Sequence, residues 1–290
     1  MSAQFRIDEL KGLNFTETPP DHIKNIMKRF EPALFSTIFL PKGTIIFRFR
    51  PNELNGSFNN ISEITYKKAE DNDNYGRAHR PNTTMFYGCV ALIRDNTEND
   101  VSFSSATNTI IGEFSKINKE IRVKKLTLSQ WKLKSDITLI PMIYKKDYEI
   151  NKRYIENYQK RLEENPQYKE NSNLITDYFA SEFAKEVQQK ADYLISALFT
   201  EAILENGLAG VFYPSVQTNG TGYNVAIAPD FVDKYLIPTD VWEGTLNKDT
   251  AVLDLDKEVK MTEGKKEFEL IPLADDNHII IKGKTNANKF

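Results

Sequence analysis

The sequence predicts an α+β fold on three observations. Short apolar segments of strand length recur from Ile45 to Ile281, and a long stretch between 145 and 206 carries helical periodicity. The two kinds of segment do not follow the steady strand–helix–strand rhythm that makes a doubly wound parallel sheet. At 290 residues the chain has room for one large domain with elaborations or two smaller ones. The residues divide into an N-terminal helical extension over 1–40, a main domain over 41–244 and a β-rich extension over 245–290.

Each element follows from local chemistry. Residues 1–40 predict peripheral helices, with Asp21 as the N-cap of an amphipathic helix through Phe30. Gly43 to Pro51 is a β-rich run closed by proline. Its period-2 alternation puts Arg48 and Arg50 on one face and Phe47 and Phe49 on the other. A polar loop runs to Tyr75, and Met85 to Ile93 predicts a buried strand containing the lone Cys89. A helix is expected within Val101 to Ile117, capped by Ser104 or Ser105, with Ile110, Ile111 and Phe114 on its apolar side. Two more strands are expected over 121–144. The helical stretch over 145–206 is interrupted at Asn165-Pro166, and Phe179, Phe183, Val187, Ala191, Leu194 and Leu198 form one stripe. Gly207 is the natural stop. Gly207 to Ser215 and Gly222 to Pro229 predict two strands brought side by side by an Asn219-Gly220 turn, so that Ser215 and Asn224 sit close together at one edge of a sheet. After Trp242, the segments 252–255, 268–271 and 279–281 predict short strands, forming either an accessory sheet or an edge extension.

Composition excludes several functions. A net charge of −3 and the lack of a basic, aromatic-interleaved stripe give no support to nucleic-acid binding. One cysteine cannot form an internal disulfide, and His22, His79 and His278 show no metal spacing. There is no G-x-G-x-x-G, P-loop or G-x-S-x-G. No basic and apolar leader and no bilayer-length apolar run is present, so a soluble, cytoplasmic protein is expected.

What remains is arginine, tyrosine, glutamate, serine and asparagine at strand and helix positions. Four motifs in order resemble the RES-domain family, named for its Arg, Glu and Ser. They are Phe47-Arg48-Phe49-Arg50; Gly76-Arg77-Ala78-His79-Arg80-Pro81 leading to Phe86-Tyr87-Gly88; Thr109-Ile110-Ile111-Gly112-Glu113; and Gly210-Val211-Phe212-Tyr213-Pro214-Ser215 with Asn224-Val225-Ala226. The resemblance spans residues 41–240. It implies an ADP-ribosyltransferase-like core of mixed β-sheets with flanking helices. The implied activity cleaves the nicotinamide–ribose bond of NAD by phosphorolysis or hydrolysis, as the toxin of a toxin–antitoxin or defence system. NAD is then the substrate, with inorganic phosphate as a co-substrate candidate, and neither a prosthetic group nor a metal is implied. The implied partner is a helix-turn-helix antitoxin, without direct contact to nucleic acid or membrane.

Carried over residue by residue, the resemblance makes Arg48, Tyr87, Glu113 and Ser215 the catalytic set and Arg48, Arg77, Tyr87, Ser215 and Asn224 the NAD-binding set. Arg50 shares the Arg48 face, and which of the two is functional stays open. The family carries Asn where His79 stands and Gly where Asn82 stands. Asn tolerates the left-handed conformation that glycine would supply, and His79 is expected to be structural. The stretch 145–206 exceeds compact members and is expected as a helical insertion. In such a site arginines grip the pyrophosphate through their planar forks. A carboxylate such as Glu113 would stabilise the oxocarbenium-like sugar; opposite charges ~4 Å apart gain about 4 kcal/mol at an effective dielectric of about 20. Tyr87 would stack on nicotinamide, and Ser215 and Asn224 would bond its carboxamide or the ribose. The alternatives are an ADP-ribosyltransferase acting on a macromolecular acceptor and a non-catalytic binding module on the same fold.

Overall fold

The computed structural model describes residues 2–52, 56–90, 122–143, 152–187, 189–215, 222–247 and 249–282. The fold is mixed α+β, built on one large sheet. Its strands are β1 (Ile38–Leu40), β2 (Ile45–Pro51), β3 (Phe86–Val90), β4 (Val123–Leu133), β5 (Ile137–Pro141), β6 (Gly210–Pro214), β7 (Tyr223–Ile227), β8 (Leu236–Asn247), β9 (Val252–Lys260), β10 (Ile271–Pro272) and β11 (Ile279–Lys282). They lie in the order β1-β5-β6-β7-β3-β2-β4-β8-β9-β10, with β11 also pairing β9. The described neighbours pair antiparallel except β5 and β6, which run parallel. Parallel neighbours cannot be closed by a hairpin and need a long crossover. The helical stretch between them is therefore that crossover and belongs to the body of the fold.

The helices are α1 (Ala3–Lys11), α2 (Pro20–Met27), α3 (Ile61–Ile64), α4 (Lys152–Glu163), α5 (Pro166–Ala184), α6 (Leu194–Glu205) and α7 (Pro229–Tyr235). Ser2 caps α1 by accepting from the Phe5 amide. The expected cap at Asp21 is corrected: α2 opens with Pro20 in its first turn, and Asp21 lies inside that turn. Proline fits there because its missing N–H would be unbonded anyway. The single stripe expected from Phe179 to Leu198 is also corrected. Lys185 is extended, and a capping box between Gln189 and Asp192 starts a 3₁₀ turn over Lys190–Tyr193 before α6 begins. Gly207, at φ 78°, ends the chain's run through α6 as expected.

The helices do not lie at the periphery. Ile7 and Leu10 of α1, Ile23 and Ile26 of α2, Phe179 and Phe183 of α5 and Phe199 of α6 pack with Val211, Tyr213 and Ala226 of the sheet in one buried cluster. The opposite face buries Ile46, Phe86, Trp131, Phe212, Tyr223 and Val225. A third cluster joins Phe47, Cys89, Leu126 and Leu128 to Leu253, Leu255 and Ile281. The C-terminal strands are thus an extension of the main sheet, not a separate one. Of the segment 268–271 only Ile271 is in a strand. The expected helix over 101–117 and the Asn219-Gly220 turn lie outside the described residues. Among the described residues no helix is long and apolar enough to cross a membrane.

The sheet forks at β2 and β3. These strands share two residue pairs, Ile46 with Val90 and Phe47 with Cys89. Beyond them β2 stays bonded to β4 as far as Pro51, while β3 stays bonded to β7 back to Phe86. Gly88 stands at the divergence, where a Cβ would meet Ile46 Cγ2 at 2.5 Å.

Candidate functional site

The fork opens into a cavity of about 370 Å³ lined by Phe47, Arg48 and Phe49 of β2, by Tyr87, Gly88 and Cys89 of β3, and by Tyr213 and Asn224 of β6 and β7. The Gly76–His79 turn and the 3₁₀ turn at Lys190 and Tyr193 complete the wall. Arg48, Arg77, Tyr87 and Asn224, which the sequence assigns to one site, therefore meet around one space. That volume lies within the usual range for a small-molecule site.

Arg48 is held by the consequences of the fork. With β2 gone from its side, the Tyr87 carbonyl has lost a ladder partner, and Arg48 Nη1 donates to it at 2.6 Å. Arg48 Nε donates to the Thr65 carbonyl at 3.1 Å, and the guanidinium lies 5.2 Å from the centre of the Phe86 ring. Burial, with the Arg50 cation beside it, pulls the Arg48 pKa down to about 9, so the side chain is still charged at neutral pH. Arg50 instead donates to the Glu63 carbonyl and lies over Phe58, away from the cavity lining. Of the two arginines on that strand face, Arg48 is the one among the described lining residues.

Arg77 sits where α5 runs out. The last carbonyls of a helix lack internal partners and carry its negative dipole end. Arg77 donates to the Phe183 carbonyl at 2.5 Å and to the Lys185 carbonyl at 3.3 Å, with its guanidinium 4.9 Å from the Tyr193 ring centre. Next to it, Gly76 and His79 bond to one another through their backbones at 3.0 and 3.4 Å, closing a tight turn. A Cβ on Gly76 would lie 2.2 Å from His79 Cε1, so only glycine lets the imidazole lie there. Asn82 follows at φ 58°, the left-handed conformation expected of it.

Tyr87 and His79 act as a unit. The Tyr87 hydroxyl accepts from the Ala78 amide at 2.9 Å and lies 2.7 Å from His79 Nδ1. Burial pushes the Tyr87 phenol up. Burial, followed by the Lys190 and Lys67 cations, pulls His79 down to about 4. Across the cavity the Cys89 thiol donates to Asn224 Oδ1 at 3.1 Å, on strands paired at those two positions.

Ser215 is not brought to the lining. It is fully buried just past β6, its amide bonded to the Gly222 carbonyl at 2.8 Å. The strand pairing expected around it is present, with Tyr213 opposite Asn224, but β6 and β7 lie inside the sheet and not at its edge. Glu113 lies outside the described residues.

The charge balance of the cavity is one-sided. Arg48, Arg77 and Lys190 line it, and no carboxylate is among the described lining residues. Among the described residues both arginines bond to neutral carbonyls and lie against aromatic rings. By contrast Arg80, three residues after Arg77, pairs with Glu201 at 2.7 Å, which also holds Lys24 at 2.7 Å. A cavity lined by three cations and, among the described residues, by no carboxylate favours an anionic ligand. Sequence reasoning missed Lys190 and Tyr193 because a continuous stripe hid the break after α5; the Gln189-x-x-Asp192 capping pattern was the available signal. It also missed Phe47, Phe49 and Tyr213 as wall residues. Among the described residues no cluster of three His, Cys, Asp or Glu could hold a metal. No protein-family model matches the chain, and no curated protein is significantly similar to it.

Proposed function

We propose that this protein consumes NAD, cleaving the nicotinamide–ribose bond in the cavity at the fork, on an ADP-ribosyltransferase-like core of the kind the RES-domain resemblance implies. The observation that carries the reading is the meeting of Arg48 and Arg77, both without a carboxylate partner among the described residues, with Tyr87 and Asn224 around one cavity. Two guanidinium groups match the two negative charges of a pyrophosphate, and planar forks bind its oxygens in pairs. The aromatic walls offered by Phe47, Phe49, Tyr193 and Tyr213 suit the flat rings of a dinucleotide.

In this reading the arginines anchor the pyrophosphate and Asn224 bonds the carboxamide or ribose. Glu113, assigned through the resemblance, supplies the carboxylate that steadies the cationic sugar. Ser215, assigned through the resemblance, is buried just past β6 and is not among the described lining residues. Water or inorganic phosphate then takes up the sugar carbon as neutral nicotinamide leaves. The test is incubation of purified protein with NAD, with and without phosphate, following nicotinamide by chromatography. Release that Arg48→Ala abolishes supports the reading; no release in either condition counts against it.

A further inference from the structure

His79 lines the cavity with its Nδ1 within hydrogen-bond reach of a neighbour. The Tyr87 hydroxyl already accepts from the Ala78 amide, so its own proton is available to donate, and His79 Nδ1 stands 2.7 Å away. At neutral pH the imidazole is uncharged, since burial and the nearby Lys190 and Lys67 cations pull it down to about 4. A neutral ring that accepts at Nδ1 carries its hydrogen on Nε2. Among the described residues no group accepts from Nε2, and that atom is not sealed among the buried unpartnered ones. Gly76 fixes the ring's position, because any side chain there would displace it. Arg77 and Lys190, which share the cavity wall with it, make an oxygen anion the favoured acceptor.

We propose that His79 is a specificity-determining binding residue whose Nε2–H donates to a phosphate oxygen of the bound ligand, with Tyr87 acting as the positioning residue that fixes the tautomer. This rests on the reading of the cavity as a dinucleotide site. The phosphate is either part of the dinucleotide or free in solution, and the chemistry recognised is the same.

The chain has three histidines, so nitrogen-15 NMR of its imidazoles resolves His79 once His79→Leu identifies its signals. The free protein should show the Nε2–H tautomer for His79 at neutral pH, and Tyr87→Phe should mix the tautomers. Saturation with ADP-ribose should move the Nε2 signal. His79→Leu should weaken ADP-ribose binding about tenfold or more, as expected for loss of a hydrogen bond to a charged group. His79→Gln, which keeps an N–H at that reach, should recover most of the loss. A shift produced by inorganic phosphate alone identifies the free anion as the source, and one produced by ADP-ribose alone identifies the ligand's own phosphate; either supports the inference. An Nδ1–H tautomer in the free protein overturns it. So does calorimetric binding of ADP-ribose that leaves Nε2 unmoved and is equally tight in His79→Leu; both outcomes leave the dinucleotide reading standing. If neither probe binds, the inference falls, and NAD turnover measured on the same sample decides whether the parent reading falls with it.

Discussion

At the residue scale, Arg48 and Arg50 show what alternation does and does not reveal. Period 2 assigns both to one strand face, and both do donate to carbonyls of the segment around α3, at Thr65 and Glu63. It cannot say which one lies beside the gap left by β3. Arg48→Lys keeps the charge but cannot reach the Thr65 and Tyr87 carbonyls together. It should weaken ADP-ribose binding by ~10-fold or more, whereas Arg50→Lys should change binding little; isothermal calorimetry compares the two. Gly76→Ala should likewise reduce binding, because the new methyl displaces the His79 ring while leaving Arg77 in the sequence. Arg48, Arg77, Tyr87 and Asn224 were put together through the motifs that resemble the RES-domain family, and the structure brings them around one cavity. Lys190 and Tyr193 were not legible, since their place in the wall depends on how α5 ends and on which strand its crossover reaches.

At the scale of elements, β6 and β7 were readable from glycine, proline and apolar runs, and their register is tight. Gly210, at φ 147°, would place a Cβ 1.9 Å from the Ala226 carbonyl oxygen, so Gly210→Ala should cost ~2–4 kcal/mol in urea unfolding. The strand β8 was not readable, because Pro238, Thr239 and Asp240 break the apolar pattern that its neighbours β4 and β9 complete. Its ties are partly polar. The buried Glu243 carboxylate accepts from Lys125, Lys257 and Ser57 at 2.9 Å each and from Asn52 at 2.7 Å. Burial works to raise its pKa, but Lys125, Lys257 and Ser57 together outweigh it and hold the carboxyl below the ordinary 4.5. A depressed acid adds stability that is complete above its unfolded value and is lost as pH falls through the folded one. Glu243→Gln should therefore be less stable by ~1–3 kcal/mol at pH 7 and should show a shallower decline in urea midpoint below about pH 4.5.

At the scale of the whole molecule, the sequence divides into three parts that the structure joins. The N-terminal helices share a cluster with α5, α6 and β6, and the C-terminal strands share one with Phe47 and Cys89 of the cavity wall. Ending the chain at residue 247 should therefore expose that wall cluster, giving a protein with a broadened or absent thermal transition by calorimetry; a dispensable tail would leave the transition sharp. An α+β class was legible because period-2 and helical segments are local properties. The crossover role of the helical stretch was hidden, since the parallel partnership of β5 and β6 is a long-range fact. The two pairs that link β2 to β3 have a mechanical meaning as well. Among the described residues they form the seam between two ladders, β2 with β4 and β3 with β7, so parting that seam would widen the gap without breaking either ladder.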